Sequence, residues 1–481
     1  MLGLKRSFTN EASIMPAKAY SQAMSRLLLS LLACAALLPS ALRSAPESDR
    51  LVILISVDGF AHYYFDDPKA QIPTIRKLAS AGAHAKRMEC SYPTVTWTNH
   101  TTLVTGVTPG KHGVVGNSYF DRTQLKSIAL IPDPIFDKDE VVKVPTIYDV
   151  AKAAGLKTAG VIWPCSRNAK TLDWTVPDVF EQELFEKYGT PSLLADAREL
   201  GIPIEKQMEW CKLGNAGKPQ RDYLYSQLAC HIIKKHKPNV LLLHLVTVDS
   251  LEHATGRNSP EAYWALNDSD NRVRDLVEAV DAAGLKDKTT FIVTADHGFI
   301  SYTKNINANA LLRREGLIKS LGTKLSPGSR AYALGQGGGC FIYILDQEHK
   351  AEIAANLKAK YAQVEGVSAV IDDPKQVGHV PASADAREPD LFLGAKDGYS
   401  FSDSLAETND ISDAGGTKGS HGYLATEPQM GGAFIISGNG VKPATTIDAM
   451  SNLDVAPTMA KLLGIEMKNV DGRVLDEVLV K

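Results

Sequence analysis

The stretch "LVILISVDG" (residues 51–59) decides the fold that we predict for this chain. Its first seven residues are rich in β-branched side chains and apolar on both faces, and an aspartate follows at once. Such a segment is typical of a strand in a parallel sheet that helices cover on both sides. Two segments share the pattern, "NVLLLHLV" (239–246) and "TTFIVTA" (289–295), and a further apolar segment, "GAFIISG" (432–438), comes near the end.

Helical patterns lie between these apolar segments. They are predicted at residues 73–82, 146–155, 221–237 and 265–284. This alternation of strands and helices predicts an α/β fold with a doubly wound, mostly parallel sheet and helices on both faces.

Residues 311–410 have a different pattern, in which strand, helix and strand are joined by glycine-rich sequence. We interpret this segment as a smaller α+β insertion or cap, whose role the sequence leaves open. The predicted organisation is a catalytic core that begins with residues 46–310, is interrupted by the insertion, and resumes at residues 411–481.

The composition is that of an ordinary globular protein, with 44% hydrophobic and 22% charged residues among 481. A formal charge of −3 carries no basic excess, so nothing suggests a partner bound through a nucleic-acid backbone. After residue 50, no apolar run in the sequence is long enough to span a bilayer.

Residues 1–45 are predicted to form a secretory signal peptide, with Met24 as an alternative start. The segment "MSRLLLSLLACAALLPSALRSA" (24–45) has an arginine, then an apolar stretch, then small residues. Cys34 ends a sequence, "LLAC", that weakly resembles a lipoprotein cleavage site, although apolar residues continue after it. We expect export to the periplasm or the medium, with lipid anchoring at Cys34 as the minor alternative and no transmembrane helix after signal removal.

Removal of that segment leaves five cysteines, which are widely spaced and include no C-x-x-C pair. The spacing argues against a zinc finger and against a dense disulfide scaffold. It leaves one or two disulfides open, with one thiol unpaired.

Aspartates follow three of the predicted strands: Asp58, Asp249 and Asp296. Ligands of open α/β sheets bind beyond the carboxyl ends of the strands. One such aspartate is equally well explained as the start of a turn, but three carboxylates together repel one another unless a cation lies among them. The sequence therefore favours a metal site at this edge of the sheet.

Two histidines accompany these aspartates. His253 comes four residues after Asp249, so a helical turn can direct both side chains to one ion. His297 directly follows Asp296, and this pair needs a bend in the chain to converge. Carboxylate and imidazole ligands together suit zinc, with manganese or iron as alternatives.

The segment "SYPTVTWTNH" (91–100) places several hydroxyls where a helix is predicted to begin. Threonine and asparagine cap helices and proline marks turns, which is the structural explanation. The functional alternative is that one hydroxyl is a nucleophile and that the others cap and turn. A helix starting here would also offer free N–H groups to a phosphoryl anion.

Six motifs in order resemble the alkaline phosphatase superfamily and, within it, the nucleotide pyrophosphatase/phosphodiesterase family. They are "SVDG" with Asp58, "YPTVTWTNHTTLVTG", "HGVVGN", "DSLEH", "TADHG" and "GSHGY". The resemblance covers about residues 51–310 and 415–481, and it implies an alkaline-phosphatase-like fold with two zinc ions per chain.

The resemblance also implies the ligand set and the nucleophile. One zinc would be held by Asp249, His253 and His421, and the other by Asp58, Asp296 and His297, with Thr96 completing it. Thr96 matches the family's nucleophile because it directly precedes an aromatic residue, and it would form a phosphothreonine intermediate. Asn117, in "HGVVGN", matches the residue that donates a hydrogen bond to a phosphoryl oxygen. We interpret His100 and His112 as structural.

The substrate pocket is less well defined. Trp97 either stacks on a nucleobase or forms a pocket wall. "VIWPCSRNAK" (161–170) resembles a family segment, with Cys165 at a glycine position. Arg167 there is either a surface residue or, if it points inward, a substrate-binding residue that would favour phosphomonoesters. Cys90 does not lie in the context that a sulfatase needs.

The predicted function is that of an exported two-zinc hydrolase of phosphodiester or nucleotide pyrophosphate bonds, acting on a small-molecule substrate. The alternatives are a phosphomonoesterase or a phosphonate hydrolase of the same superfamily and, from another class, a non-catalytic zinc-containing binding protein. The natural substrate and the oligomeric state stay open.

Overall fold

The computed structural model describes residues 49–380 and 386–480, which belong to one compact unit. The predicted signal peptide, including Met24 and Cys34, lies outside the described residues. Within the described part of the chain, no helix is both long enough and apolar enough to cross a membrane.

The strands are numbered along the described chain. They are β1 (Leu51–Val57), β2 (Ala83–Glu89), β3 (Ser118–Asp121), β4 (Lys126–Ala129), β5 (Thr158–Trp163), β6 (Trp174–Pro177), β7 (Val240–Leu245), β8 (Thr289–Thr294), β9 (Ile300–Asn307), β10 (Ser320–Leu321), β11 (Lys324–Leu325), β12 (Ala331–Gln336), β13 (Gly339–Ile344), β14 (Val367–Ile371), β15 (Leu391–Ala395), β16 (Gly398–Ser402), β17 (Ile411–Ser420), β18 (Gly432–Gly438) and β19 (Thr445–Ser451).

The α-helices are numbered in the same way. They are α1 (Tyr63–Asp66), α2 (Pro73–Ala81), α3 (Thr96–Thr105), α4 (Pro109–His112), α5 (Lys138–Val141), α6 (Ile147–Ala153), α7 (Gln182–Tyr188), α8 (Pro191–Glu199), α9 (Gln207–Lys212), α10 (Lys218–His236), α11 (Thr247–Thr255), α12 (Pro260–Ala282), α13 (Ala308–Arg314), α14 (Lys350–Tyr361) and α15 (Val455–Leu462).

The main sheet has eight strands in the order β19-β2-β18-β8-β1-β7-β5-β6. Strands β8, β1, β7, β5 and β6 are parallel, and so are β2 and β19. Strand β18 is antiparallel to both of its neighbours, so the sheet is mixed and mostly parallel.

Both faces of the central strands are buried, as their apolar sequence predicts. Along β1, Ile53 and Ile55 belong to one hydrophobic cluster, together with residues of α8, α10 and α12. Val52 and Leu54, on the opposite face, belong to another cluster with residues of α6 and α15. The predicted doubly wound α/β sheet with helices on both faces is confirmed.

A second, antiparallel sheet in the order β12-β13-β15-β14 is formed within residues 311–410, and α14 packs on it. A three-stranded sheet in the order β16-β9-β17 also includes residues 300–307 and 411–420, which lie outside the predicted insertion. The limits of 311–410 as a separate domain stay a prediction.

The cysteines form no disulfide within the described residues. All five of those after the predicted signal peptide are free thiols, and Cys211 is the one that is not buried. The possibility of one or two disulfides, which the sequence left open, is thus not realised among the described residues.

Candidate metal and catalytic site

The carboxyl ends of three adjacent strands bring the predicted aspartates together. Strand β1 lies between β8 and β7, and Asp58, Asp296 and Asp249 follow these three strands. The backbone N–H of Asp249 donates to the carbonyl oxygen of Asp58 at 3.1 Å. The N–H of Gly59 donates to Oδ1 of Asp296 at 3.2 Å. These bonds hold the three strand ends in one site.

Six of the predicted ligands form two groups. One group is Asp249, His253 and His421, and the other is Asp58, Asp296 and His297. In each group, one ligand atom from every residue lies within 4.8 Å of the others. His253 lies one turn after Asp249 on α11, whereas His421 follows the end of β17.

Backbone carbonyls orient the three histidines of this site. The Nδ1 atoms of His253 and His421 lie 3.0 Å from a carbonyl oxygen, and that of His297 lies 3.2 Å from one. Because a carbonyl oxygen can only accept, Nδ1 carries the proton and Nε2 presents its lone pair. Metal-ligating histidines are typically fixed in this way.

The presented Nε2 atoms lie close to each other and to the carboxylates. His253 Nε2 is 3.1 Å from His421 Nε2. Asp249 Oδ1 is 3.3 Å from the first nitrogen and 3.5 Å from the second. Two nitrogen lone pairs repel each other at such a distance, and a cation between them removes the repulsion.

The buried carboxylates also fit a cation. Burial raises the pKa of Asp58 and Asp296 well above the usual range, and the charge of a neighbouring aspartate raises it further. One carboxylate oxygen on each of Asp58, Asp249 and Asp296 is buried without a hydrogen-bond partner. Since unpaired buried oxygens are costly, each group is suited to hold a divalent cation.

Thr96 supplies a hydroxyl beside one of these groups. It is the first residue of α3, and Val95 before it is extended, with φ −124° and ψ 158°. Thr96 Oγ1 lies 3.3 Å from Nε2 of His297. The start of the helix therefore places this hydroxyl beside the group that contains Asp58 and Asp296.

The other threonine hydroxyls near the start of α3 do not cap the helix, and that of Thr98 is buried without a hydrogen-bond partner. Thr101, Thr102 and Thr105 each donate to the carbonyl oxygen four residues earlier. The N-cap residue is Val95, which has no capping side chain, so the expectation of threonine caps is wrong. Thr94 donates to the carbonyl oxygen of Tyr423 at 3.0 Å.

Asn117 lies beside the first turn of α3. Its Oδ1 accepts a hydrogen bond from the backbone N–H of Trp97 at 2.9 Å. The Nδ2 end of the amide, which can only donate, is therefore turned away from that N–H group. This bond also occupies one of the free helix N–H groups that the sequence suggested for a phosphoryl anion.

The side chain of Trp97 is a core residue. It is 1% exposed, and its indole N–H donates to Asp133 at 2.7 Å. Its neighbours in a small hydrophobic cluster are Val114, Leu130, Val141, Val142 and Cys165. The ring offers no open face, so stacking on a nucleobase does not fit its position.

Arg167 is neither a surface residue nor free to bind a substrate. It is 6% exposed, and its Nε donates to Asp137 at 3.0 Å. Further bonds from the guanidinium reach the carbonyl oxygens of Asp133 and Ile135. The expectations of a surface residue and of a substrate-binding residue are both corrected, because the loop of residues 133–137 surrounds the guanidinium and accepts its hydrogen bonds. Cys165 has a φ of 54°, a left-handed backbone conformation that favours glycine.

His100 and His112 are buried, in agreement with a structural interpretation.

Sequence reasoning missed His244, which lies inside the apolar strand β7. Its Nε2 is 3.0 Å from Oδ2 of Asp58, and its ring centroid is 4.2 Å from that of His100. A lone histidine in an otherwise apolar strand was the available signal.

Gln336 is a second residue that sequence reasoning missed. It ends β12 and is 5% exposed. Its Oε1 accepts from the N–H of Asn117 at 3.2 Å, and its Nε2 donates to the carbonyl oxygen of Ser118 at 3.0 Å. In the same hairpin, the N–H of Gly338 donates to the carbonyl oxygen of His421 at 2.7 Å. The second sheet thus contacts two segments of the site.

The tip of this hairpin requires glycine. Gly337 has a φ of +76°, and a Cβ there would lie 2.2 Å from the carbonyl oxygen of His421. The close approach of the hairpin to the His421 loop therefore depends on the absence of a side chain.

The mixed α/β sheet and the two ligand groups at its carboxyl edge define an alkaline-phosphatase-like protein with a candidate two-cation site. The model of the family described as type I phosphodiesterase/nucleotide pyrophosphatase matches residues 52–424. The chain therefore belongs to the type I phosphodiesterase/nucleotide pyrophosphatase family.

Individual relatives agree with this assignment. A venom phosphodiesterase from Macrovipera lebetinus is 28% identical over 264 residues, which are 55% of this chain and 27% of the relative. Ectonucleotide pyrophosphatase/phosphodiesterase family member 3 from Mus musculus is 28% identical over 255 residues, or 51% of this chain and 24% of the relative. The match thus spans about a quarter of the length of these curated relatives.

Solved structures show the same fold. Murine ectonucleotide pyrophosphatase/phosphodiesterase 5 superimposes with a TM-score of 0.67 and 18% sequence identity. The superposition covers 90% of this chain and 100% of that chain. The human protein of the same name gives a TM-score of 0.67 with 19% identity.

Proposed function

We propose that this chain is an exported two-zinc hydrolase of phosphodiester or nucleotide pyrophosphate bonds. The observation that carries the proposal is the position of Thr96, whose hydroxyl lies 3.3 Å from His297 Nε2, beside the two groups of candidate ligands. Relatives named venom phosphodiesterase and ectonucleotide pyrophosphatase/phosphodiesterase support this class of bond, and "venom" and "ecto" support a location outside the cell.

Zinc is the proposed ion because each group combines carboxylate oxygens with imidazole nitrogens. Manganese or iron is compatible with the same donors. When bound, two such ions favour ionisation of a nearby hydroxyl and stabilise negative charge on phosphoryl and leaving oxygens.

Thr96 is the proposed nucleophile. Its Oγ forms a bond to phosphorus as the bond from phosphorus to the leaving oxygen breaks, which gives a phosphothreonine. The proton that Thr96 loses balances the proton that the leaving oxygen gains. Water then attacks the same phosphorus, and its oxygen forms a bond to phosphorus as the bond from phosphorus to Thr96 Oγ breaks. One proton of the water returns to Thr96 Oγ, which restores the hydroxyl.

The residues around Thr96 have distinct proposed roles in this reaction. Asn117 donates an Nδ2 hydrogen to a non-bridging phosphoryl oxygen, since its Oδ1 is already held by Trp97 N–H. The amino end of α3 adds a favourable dipole for the phosphoryl anion. Burial of Thr96, which is 4% exposed, excludes most water from the attacking oxygen.

The test compares an aryl phosphodiester with the matching phosphomonoester, using purified protein of known zinc content. We expect a preference for the diester that disappears in Thr96→Ala. A preference for the monoester would move the function to a phosphomonoesterase. Activity on neither substrate, with two zinc ions bound, would point to a phosphonate hydrolase or to a non-catalytic binding protein.

A further inference from the structure

A third group of candidate metal ligands lies at the other edge of the main sheet. Asp196 on α8 and His231 and His236 on α10 each offer one ligand atom, and these atoms lie within 4.8 Å of one another. Helix α10 ends at His236 and β7 begins at Val240. The group therefore lies near the amino ends of the strands, whereas the catalytic groups lie beyond the carboxyl ends.

His236 has a buried nitrogen without a partner. Its Nε2 makes no hydrogen bond and lies 3.7 Å from Oδ2 of Asp196. The ring is fixed by stacking on Trp174, with centroids 4.2 Å apart and planes at 16°. Burial lowers the pKa of His236, and the neighbouring charges of His231 and Lys235 lower it further. The ring is therefore neutral and can present a lone pair.

His231 and Asp196 complete the donor set. His231 Nε2 lies 3.0 Å from Oδ2 of Asp196, the oxygen that also faces His236. Hydrogen bonds from Lys235 and His231 lower the pKa of Asp196, so the carboxylate is ionised. Ligands about 2.0–2.2 Å from a tetrahedral zinc ion are about 3.4 Å apart, which is close to the observed separations.

We propose that Asp196, His231 and His236 form a further site for a divalent transition metal, with Zn²⁺ as the best match to two imidazoles and one carboxylate. Water completes the coordination. Binding of the ion at Nε2 of His231 replaces the hydrogen bond between this nitrogen and Asp196, and the proton of the neutral ring then resides on Nδ1. The bound metal links α8 to α10 at the edge opposite the catalytic groups.

Lys235 opposes the metal at this site. Its Nζ lies 2.6 Å from Oδ1 of Asp196 and is half-exposed. The ammonium group pairs with the carboxylate in the absence of metal and repels an incoming cation. If Asp196 only accepted hydrogen bonds from its neighbours, Lys235 would stabilise the arrangement. If Asp196 binds a metal ion, Lys235 weakens the binding of that ion. This opposite dependence separates the two explanations.

The experiment measures Zn²⁺ bound to the full-length protein by equilibrium dialysis and by competition with a chromophoric chelator. His231→Gln keeps a side chain that can donate to Asp196 but removes the imidazole ligand, and we expect one zinc ion fewer per chain. His349→Ala, which changes an exposed histidine paired with Asp346, is the matched control and should retain every ion. Lys235→Ala should tighten Zn²⁺ binding at this site about tenfold.

Equal zinc content in the parent protein and His231→Gln would overturn the proposal. An unchanged or weaker zinc affinity in Lys235→Ala would do the same. Neither substitution touches the catalytic groups, so phosphodiesterase activity should be unchanged in both. Failure of the third site is thus distinguishable from failure of the proposed enzymatic function.

Discussion

His253 Nε2 lies 3.1 Å from His421 Nε2, although the two residues are 168 positions apart in the chain. Both rings donate Nδ1–H to backbone carbonyls, so the two facing nitrogens present lone pairs. Asp249 Oδ1 lies within 3.5 Å of both. The two unprotonated nitrogens and the carboxylate repel one another at these distances, and a cation bound between them would remove this repulsion.

Asp249→Ala should remove one of the two proposed metal ions. The substitution takes away the only carboxylate of its group and leaves the Asp58 group complete, so elemental analysis should show a loss of about one ion per chain. Asp448→Ala, which breaks a surface pair with Lys86, is the control and should change nothing. A full metal content in Asp249→Ala would refute the ligand assignment.

Thr96→Ala should abolish turnover and keep the metal. Loss of the attacking oxygen should lower kcat by on the order of 10³ or more, because no other hydroxyl is as well placed. Thr96→Ser, which retains a hydroxyl, should keep measurable activity and a phosphorylated intermediate trapped by acid quench. Loss of metal and of folding in Thr96→Ala would show that the residue is structural.

Gln336→Ala should lower activity without changing the metal content. The side chain holds the N–H of Asn117 and the carbonyl of Ser118, so its loss should loosen the amide that faces the substrate. We expect kcat to fall about tenfold, equivalent to roughly 1.4 kcal/mol. Gln347→Ala, an exposed glutamine of the same sheet region, is the control. Equal kcat values for both variants would argue against a positioning role.

Arg167→Ala should affect stability rather than substrate preference. The buried guanidinium bonds Asp137 and two carbonyls, and its removal should lower the free energy of unfolding by about 2 kcal/mol. Urea denaturation measures this loss, with exposed Lys170→Ala as the control. The ratio of diester to monoester hydrolysis should not change. A shift of that ratio in Arg167→Ala alone would restore the substrate-binding hypothesis.

Acid should destabilise the protein through His112. Burial lowers the pKa of His112 to about 3, and the nearby His379 and Arg387 side chains lower it further. The unfolded chain has the higher pKa of about 6.5, so it binds a proton first as the pH falls. The stability that His112 provides is complete above pH 6.5 and is lost between about 6.5 and 3.

The measurement is the urea midpoint of the parent protein and of His112→Gln between pH 7 and 4. The difference in unfolding free energy between the two should shrink by up to about 1.4 kcal/mol per pH unit below 6.5. A difference that is independent of pH would mean that His112 titrates normally in the folded state.

Much of the fold could be predicted, because a strand that is buried on both faces has a continuous apolar sequence. The predicted strand 51–57 matches β1 residue for residue. Helix ends were less accurate. Helix α10 begins at Lys218 rather than 221, since Pro219 is tolerated in a first turn where its missing N–H has no partner. Helix α12 begins at Pro260 rather than 265, and the Ser259 side chain caps it by accepting from the N–H of Ala262.

The site was predictable where ligands are close in sequence. Asp249 and His253 could be paired from their spacing on one helix, whereas His421 follows a strand and was identified only through the family resemblance. The hydrogen-bond partners of Trp97 and Arg167 could not be predicted from the sequence, for one physical reason. Each side chain donates a hydrogen bond to an aspartate in the 131–137 loop. Partners so distant in sequence produce no periodic pattern from which the contact could be predicted.

The residues of the two ligand groups are synthesised at different times during translation. Asp58, Thr96, Asp296 and His297 have all been synthesised once residue 297 is added, whereas His421 follows 124 positions later. A nascent or truncated chain that stops in between has Thr96, the proposed nucleophile, and one complete set of candidate ligands, but it lacks the third candidate ligand of the other set. The order of translation therefore makes completion of the second ligand set a late step in the biogenesis of this protein.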